Sequence, residues 1–362
     1  MLFISLFATV VTFSQLVDAT DYSFVSIGDW GGAQLGGQYT TNVNAVASQM
    51  ASTASAYAAK FVINTGDNFY WCGIQNTSDP QIQTDFVTPY MGYASLNSVK
   101  WYSALGNHEY GYNVQAQIDY TKQSSTWYMP ARYYTTRLQL SGSNYATLLF
   151  LDTSPCYQDY RSSNPDNWDP CMSQYPTCSQ QNNDDDFEGP CLFHENILGQ
   201  DCSVQYNWLK TTLQGIPSSD WLIVVGHHPI DETDVKDLTS LLQQRGFALY
   251  INGHAHTLNQ YTIDGAGAYI TSGAGAMVNT LDQTHPITHA KVNNLPVDKE
   301  LFKSMGKSAT GHSYKTVWSK TVAGFTLHTF NSAFTELTTT FLDYNGNTLH
   351  SFVVNKSGKI IS

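Results

Sequence analysis

The sequence predicts an α/β fold in which parallel strands are joined by an antiparallel tail. Three observations carry that prediction. Residues 22–64 read as strand, helix, strand, and a βαβ unit of this length sets its two strands parallel. Five short, continuously apolar, β-rich runs each end on a Gly turn followed by polar side chains, as the buried strands of such sheets do. Residues 324–354 instead alternate apolar and polar side chains about an Asn345-Gly346 turn, which predicts antiparallel strands completing or covering a second sheet.

In order along the chain, the first strand is Tyr22–Gly28. Thr41–Lys60 is the first helix, because Val43, Val46, Met50, Ala54 and Tyr57 recur at helical spacing. Phe61–Asn64, Lys100–Ala104 and Tyr145–Leu151 follow as strands. Helices at Ser203–Leu213 and Asp234–Arg245 flank a strand at Trp221–Val225. The tail strands are Gly324–Phe330, Thr335–Asp343 and Thr348–Val354. Between Thr153 and Cys202 there is no periodicity, and Asn, Asp, Pro and Cys dominate. That stretch is expected to be a disulfide-pinned surface excursion, and long loops of this kind are often functional.

Composition narrows the function. With 362 residues, 42% of them hydrophobic, the chain can bury a large core. Charged residues are sparse at 13%, the net charge is −12, and Lys and Arg form no cluster, which argues against nucleic-acid binding. Residues 1–19 carry an apolar run with small Val17 and Ala19 placed for cleavage, so a signal peptide is expected there. No later segment is long and apolar enough to suggest membrane insertion. The six cysteines fit an oxidising compartment, and their 15 possible pairings stay open. Asn76 and Asn355 begin N-x-Ser glycosylation tripeptides. These features suggest a secreted or lumenal protein, lysosomal or vacuolar compartments included, with one catalytic domain over residues 20–362 and a Cys-rich insertion at 153–202. A monomer is expected.

The five strand ends carry the chemistry. They present Asp29, then Asp67 and Tyr70, then Asn107 and His108, then His227 and His228, then His254 and His256. Alone, a carboxylate after a strand is a turn residue and a histidine is a packing residue. Together they supply oxygen and nitrogen donors that can converge where α/β sheets gather ligands. Asp67 suits a bridge between two cations, since a carboxylate can share its charge between ions about 3.5–4 Å apart. Asn107 binds through a neutral carbonyl oxygen. Many dinuclear phosphoesterases place a His two residues after the first Asp, but here that position is Gly31. Tyr70 is the obvious replacement, and a phenolate oxygen selects Fe(III) over Zn(II).

The blocks GDWGG, GDNFY, GNHE, VVGHHP and GHAH resemble the signature blocks of the purple acid phosphatases, most nearly their short, tartrate-resistant type. LFLDT, NWL, YITSGAGA and TTTFLDYNG extend the likeness over roughly residues 22–354. The resemblance implies a four-layer metallophosphoesterase β-sandwich of two mixed sheets flanked by helices. It implies that Asp29, Tyr70 and His256 hold Fe(III), that Asp67 bridges, and that Asn107, His227 and His254 hold a divalent Fe, Zn or Mn ion. His108 would contact the substrate phosphate or its leaving oxygen. The implied reaction is hydrolysis of small phosphate monoesters or phosphoproteins by a metal-activated hydroxide in acid. Departures from the family pattern are Glu109 in place of Asp and His228 in place of Tyr, where His228 could add a phosphate contact. The general acid stays open among Asp231, Glu232 and Asp234. The alternatives are a phosphodiesterase or phosphoprotein phosphatase of the same superfamily, a redox-active iron protein, and a binding protein on an inactive scaffold.

Overall fold

The computed structural model describes residues 22–162, 164, 167–171, 191–278 and 310–362; the expected signal peptide lies outside them. In chain order the strands are β1 (Tyr22–Ile27), β2 (Phe61–Asn64), β3 (Lys100–Ser103), β4 (Trp127–Tyr128), β5 (Tyr134–Ser141), β6 (Asn144–Phe150) and β7 (Trp221–Val225). They continue with β8 (Leu249–Asn252), β9 (Leu258–Ile263), β10 (Ala266–Ser272), β11 (Tyr314–Lys320), β12 (Gly324–Phe330), β13 (Glu336–Asp343) and β14 (Thr348–Asn355). The helices of at least eight residues among those described are α1 (Gly37–Ala56), α2 (Cys202–Gly215) and α3 (Leu238–Arg245).

Two seven-stranded mixed sheets result. The first runs β14-β13-β12-β1-β2-β3-β4, with β1 to β4 parallel and β12 to β14 antiparallel. The second runs β11-β9-β10-β8-β7-β6-β5, with its four central strands parallel. The antiparallel tail thus extends the first sheet rather than a second one. Strand β1 has a free edge opposite β2, and β12 pairs there from Tyr22↔Phe330 to Ser26↔Thr326.

The continuous apolar runs are explained by burial on both faces. On β7, Trp221, Ile223 and Val225 face the core between the sheets, while Leu222 and Val224 join the cluster beneath α2 and α3. Trp221 meets Phe330 of β12 edge-on at 5.0 Å, which joins the two sheets face to face. On the outer side of the first sheet, α1 buries Val43, Val46, Ala47, Met50 and Ala54. The order helix, sheet, sheet, helix is the predicted four-layer sandwich. Trp30 fills the core directly beneath the first loop, within 5.3–6.5 Å of Phe69, Phe86, Tyr90, Trp101 and Trp127. Truncating so large a buried ring costs about 3–5 kcal/mol, so the loop that follows β1 stands on a rigid base.

Candidate metal centre

All five apolar strands end on the same side, three from the first sheet (β1, β2, β3) and two from the second (β7, β8). Each is followed by a Gly and then by a donor residue. At each of these five glycines a side chain has no room. A Cβ on Gly106 would lie 2.1 Å from Oδ1 of Asp67, so the third loop can close on the second only as glycine. A Cβ on Gly31 would lie 2.0 Å from the carbonyl oxygen of Asn68. The missing His of the first motif therefore has a steric cause. The backbone of Gly31 is paired to the Asp67–Tyr70 loop, through Gly31 N to Asp67 O and Tyr70 N to Gly31 O, both 3.3 Å. The same loop carries the Tyr70 hydroxyl to Asp29 and Asp67.

The donors form two groups that share one oxygen. In the first, the Tyr70 hydroxyl lies 3.3 Å from Asp29 Oδ1, 3.1 Å from Asp67 Oδ2 and 3.3 Å from His256 Nε2. In the second, Asn107 Oδ1 lies 2.8 Å from His227 Nε2 and 3.2 Å from His254 Nδ1, and His227 Nε2 is 3.3 Å from the same Asp67 Oδ2. All seven predicted metal-binding residues are thus brought together. Among the described residues, Asp29, Asp67 and His227 present ligand atoms that all lie within 4.8 Å of one another. His227 Nδ1–H donates to Thr65 O at 2.9 Å, which leaves Nε2 as the free donor atom. Asp29, Asp67, His254 and His256 all sit at positive φ, between 50° and 68°. Side chains other than Gly seldom adopt that region, at a cost of roughly 1 kcal/mol or more each. Four such residues at one point mark a site whose geometry is imposed by its surroundings.

The electrostatics favour a cation. Asp29 and Asp67 are fully buried, and among the described residues neither has a Lys or Arg partner. Burial pushes the Asp29 carboxyl upward, partly offset by His256 and His227. At Asp67 burial is outweighed by the His227 and His108 rings, and the carboxyl is held well below its usual range. Burial would lower His227, yet the Asp67 and Asp29 carboxylates lift it to about 9. Tyr70 is pushed well up by burial and by both carboxylates, so its phenol ionises only beside a strong positive charge. Two buried carboxylates, a phenol, an amide oxygen and three imidazoles in this arrangement fit a pair of metal ions.

His108 and Glu109 follow Asn107 on a turn of 3-10 helix. His108 Nδ1–H donates to Trp71 O at 2.6 Å, and Nε2 looks toward Asp67 Oδ2 at 3.9 Å. His228 differs from its expectation. It is wholly buried, with Nδ1 2.7 Å from the Thr153 hydroxyl and Nε2 3.1 Å from the Tyr160 hydroxyl. Thr153 Oγ1 already accepts the backbone N–H groups of His227 and His228, so it donates to Nδ1, and Nε2–H then donates to Tyr160. No ring nitrogen remains for a phosphate, which corrects the expected substrate contact. Instead His228 ties the Cys-rich excursion to His254, whose ring is 4.2 Å away.

Of the general-acid candidates, Asp234 takes the Gln158 backbone N–H at 2.7 Å. Asp231 is buried and pushed up to about 6 by that burial, and its charged neighbours are His312 and Asp264. Asn76 is exposed, whereas the Asn355 side-chain oxygen caps the turn after β14 through Ser357 N and Lys359 N, both at 3.1 Å. Sequence reasoning passed over Thr153, Tyr160, Trp71 and Trp168, the last with its ring 5.0 Å from His108. They lie in motifs without chemical signature and reach the site only through the fold.

Residues 22–258 match the family model of the calcineurin-like phosphoesterases. The chain is 31% identical over 260 residues to the tartrate-resistant acid phosphatase type 5 of Mus musculus, covering 70% of this chain and 72% of the mouse protein. It is 30% identical over 263 residues to the Homo sapiens protein of that name, covering 70% and 72%. Purple acid phosphatase 7 of Arabidopsis thaliana is 30% identical over 254 residues, covering 70% of each. Among solved structures, GAP50, the anchor in the inner membrane complex of Plasmodium, superposes with a TM-score of 0.60 at 19% identity. That match covers 93% of this chain and 89% of that one, a likeness of fold.

Proposed function

This chain belongs to the calcineurin-like phosphoesterases and, within them, to the purple acid phosphatases, and we propose that it hydrolyses phosphate monoesters in acid at a dinuclear metal centre. The observation that carries the reading is the pair of donor groups meeting at Asp67 Oδ2. Asp29, Tyr70 and His256 would hold Fe(III), and Asn107, His227 and His254 a divalent Fe, Zn or Mn ion, with Asp67 between them. When bound, the pair would neutralise phosphoryl charge and activate water as the nucleophile, with Fe(III) keeping that activation available at low pH.

The protein's own part is positional. Trp71 O fixes the His108 ring so that Nε2 faces the centre, where it can contact the phosphate or the departing oxygen. Thr65 O fixes the tautomer of His227. Small phosphate monoesters or phosphoproteins would be the substrates, and a secreted or lumenal location suits the disulfides Cys156–Cys202 and Cys171–Cys191. Asn76, being exposed, is the better placed of the two glycosylation tripeptides. Among the described residues no helix is long and apolar enough to cross a membrane.

The purified protein should be purple or pink from charge transfer between tyrosinate and Fe(III), and Tyr70→Phe should lose the colour. A colourless, fully active wild type containing only zinc would overturn the Fe(III) assignment.

A further inference from the structure

His108 stands in an aromatic enclosure that the metal centre itself does not require. The Tyr70, Trp71 and Trp168 rings lie 4.4, 5.6 and 5.0 Å from its ring centre. Tyr70 is buried, but both tryptophans are only half-buried. Large rings left partly in water at the rim of a buried polar site are typical of ligand pockets, where they supply apolar area and stacking.

Trp168 comes from the Cys-rich excursion and is rigidly held. Phe193 meets it edge-on at 5.2 Å and Tyr160 packs at 5.7 Å. The neighbouring Asn167 donates to Asp159 O at 2.7 Å, and the Cys171–Cys191 disulfide anchors the chain three residues on. A ring fixed in this way loses little entropy when a ligand stacks on it. Among the described residues no Lys or Arg ring contact reaches Trp71 or Trp168, and the charged neighbours of adjacent Asp169 are His194 and Glu195, so the enclosure favours an uncharged leaving group.

We propose that Trp168, with Trp71, is a specificity-determining wall for the leaving group, which selects uncharged aryl phosphates over alkyl phosphates. The inference rests on the phosphatase reading above, in which His108 faces the leaving oxygen. The two indoles border the His108 ring, so an aryl leaving group held beside His108 can gain a stacking contact that an alkyl group cannot make.

The test measures binding by calorimetry of two non-hydrolysable phosphonates to the metal-loaded protein, alongside kcat/KM for phenyl phosphate and glycerol 2-phosphate. Wild type should bind phenylphosphonate more tightly than methylphosphonate. Trp168→Ala should shrink that preference by roughly five- to tenfold, with methylphosphonate affinity held within about twofold. Trp168→Phe should keep most of the preference, which separates ring recognition from misfolding of the excursion. Equal weakening of both phosphonates in Trp168→Ala, or an unchanged preference, would overturn the proposal. Hydrolysis of neither ester by the wild type would sink the phosphatase reading itself.

Discussion

At Glu109 a single buried carboxylate gathers four backbone N–H groups. Gly106 N lies at 2.6 Å, Asn68 N at 2.8 Å, Asp67 N at 3.0 Å and Phe69 N at 3.2 Å. The loop of Asp67 and the loop of Asn107 are thereby stapled together through a side chain whose two oxygens are taken up by backbone amides. Burial and the nearby Asp67 push Glu109 up to about 7, against the pull of the amides. Removing it leaves those amides without a partner in a dry interior, a loss of about 1–3 kcal/mol or more. Glu109→Ala should therefore lower Tm by several degrees and reduce bound metal, read by thermal melting and elemental analysis. Glu109→Asp, the residue more usual in the family, should do much less. An alanine variant with wild-type Tm and full metal content would show the staple to be dispensable. The clustered donor side chains were legible in the sequence because each loop that carries them follows an apolar run and a Gly. The residues that hold them were not: Glu109 read as a minor departure, and the engagement of both His228 nitrogens depends on Thr153 and Tyr160, distant in sequence.

At the scale of elements, two histidines outside the metal centre respond to pH in opposite directions. His328 of β12 is buried between β1 and β13, with Ser26 Oγ at 3.0 Å and Thr339 Oγ1 at 3.0 Å. Burial lowers it to about 3, so the folded protein keeps it neutral. Its contribution is complete above the unfolded value near 6.5 and is lost as pH falls toward 3, by about 1.4 kcal/mol per unit. His312, just before β11, bridges Asp264 Oδ2 at 2.6 Å and Asp237 Oδ1 at 3.1 Å. Burial opposes its charge, but the two carboxylates win and raise its pKa. That contribution is complete below about 6.5 and fades as pH rises through the folded value. His328→Gln should therefore flatten the loss of Tm between pH 6.5 and 4.5. His312→Gln should cost about 1–2 °C at pH 5 and nothing at pH 9, since the partner carboxylates are partly exposed and screened. Parallel Tm curves for wild type and both variants would refute the assignment. Asp237 also explains a shifted boundary: α3 begins at Leu238 rather than Asp234, because Asp237 caps it through Ser240 N. Helix α1 begins at Gly37, four residues before the periodic pattern, because Thr40 ties Gly36 N and Ala33 O together without a side-chain cap at the helix start. Strand β11 escaped notice because it is an edge strand, largely exposed, whose alternation has no buried face to report.

At the scale of the whole molecule, local periodicity identified strands but could not say which sheet received them. The tail joined the first sheet, and the centre drew its loops from both. The excursion at 153–202 is where that wider arrangement bears on activity. The Cys156–Cys202 disulfide closes its base, and Arg161 Nη1 joins its two limbs by donating to Pro155 O at 3.2 Å, Ile197 O at 3.1 Å and Gln200 O at 2.8 Å. From this base Tyr160 reaches His228 and Trp168 reaches His108, so the excursion touches both flanks of the metal centre. Much of the stretch between Asp159 and Glu188 lies outside the described residues. Limited proteolysis there should alter kcat or KM for a small aryl phosphate by roughly twofold or more, because it releases the rings that border His108. A rise in kcat would mean that the intact excursion restrains turnover, and a rise in KM that it binds the leaving group. With the Cys156–Cys202 bridge intact, the cut product should run as one band without reductant and as two with it. Demonstrated cleavage with unchanged kinetics would make the excursion a surface ornament, whatever its contacts with His108 and His228.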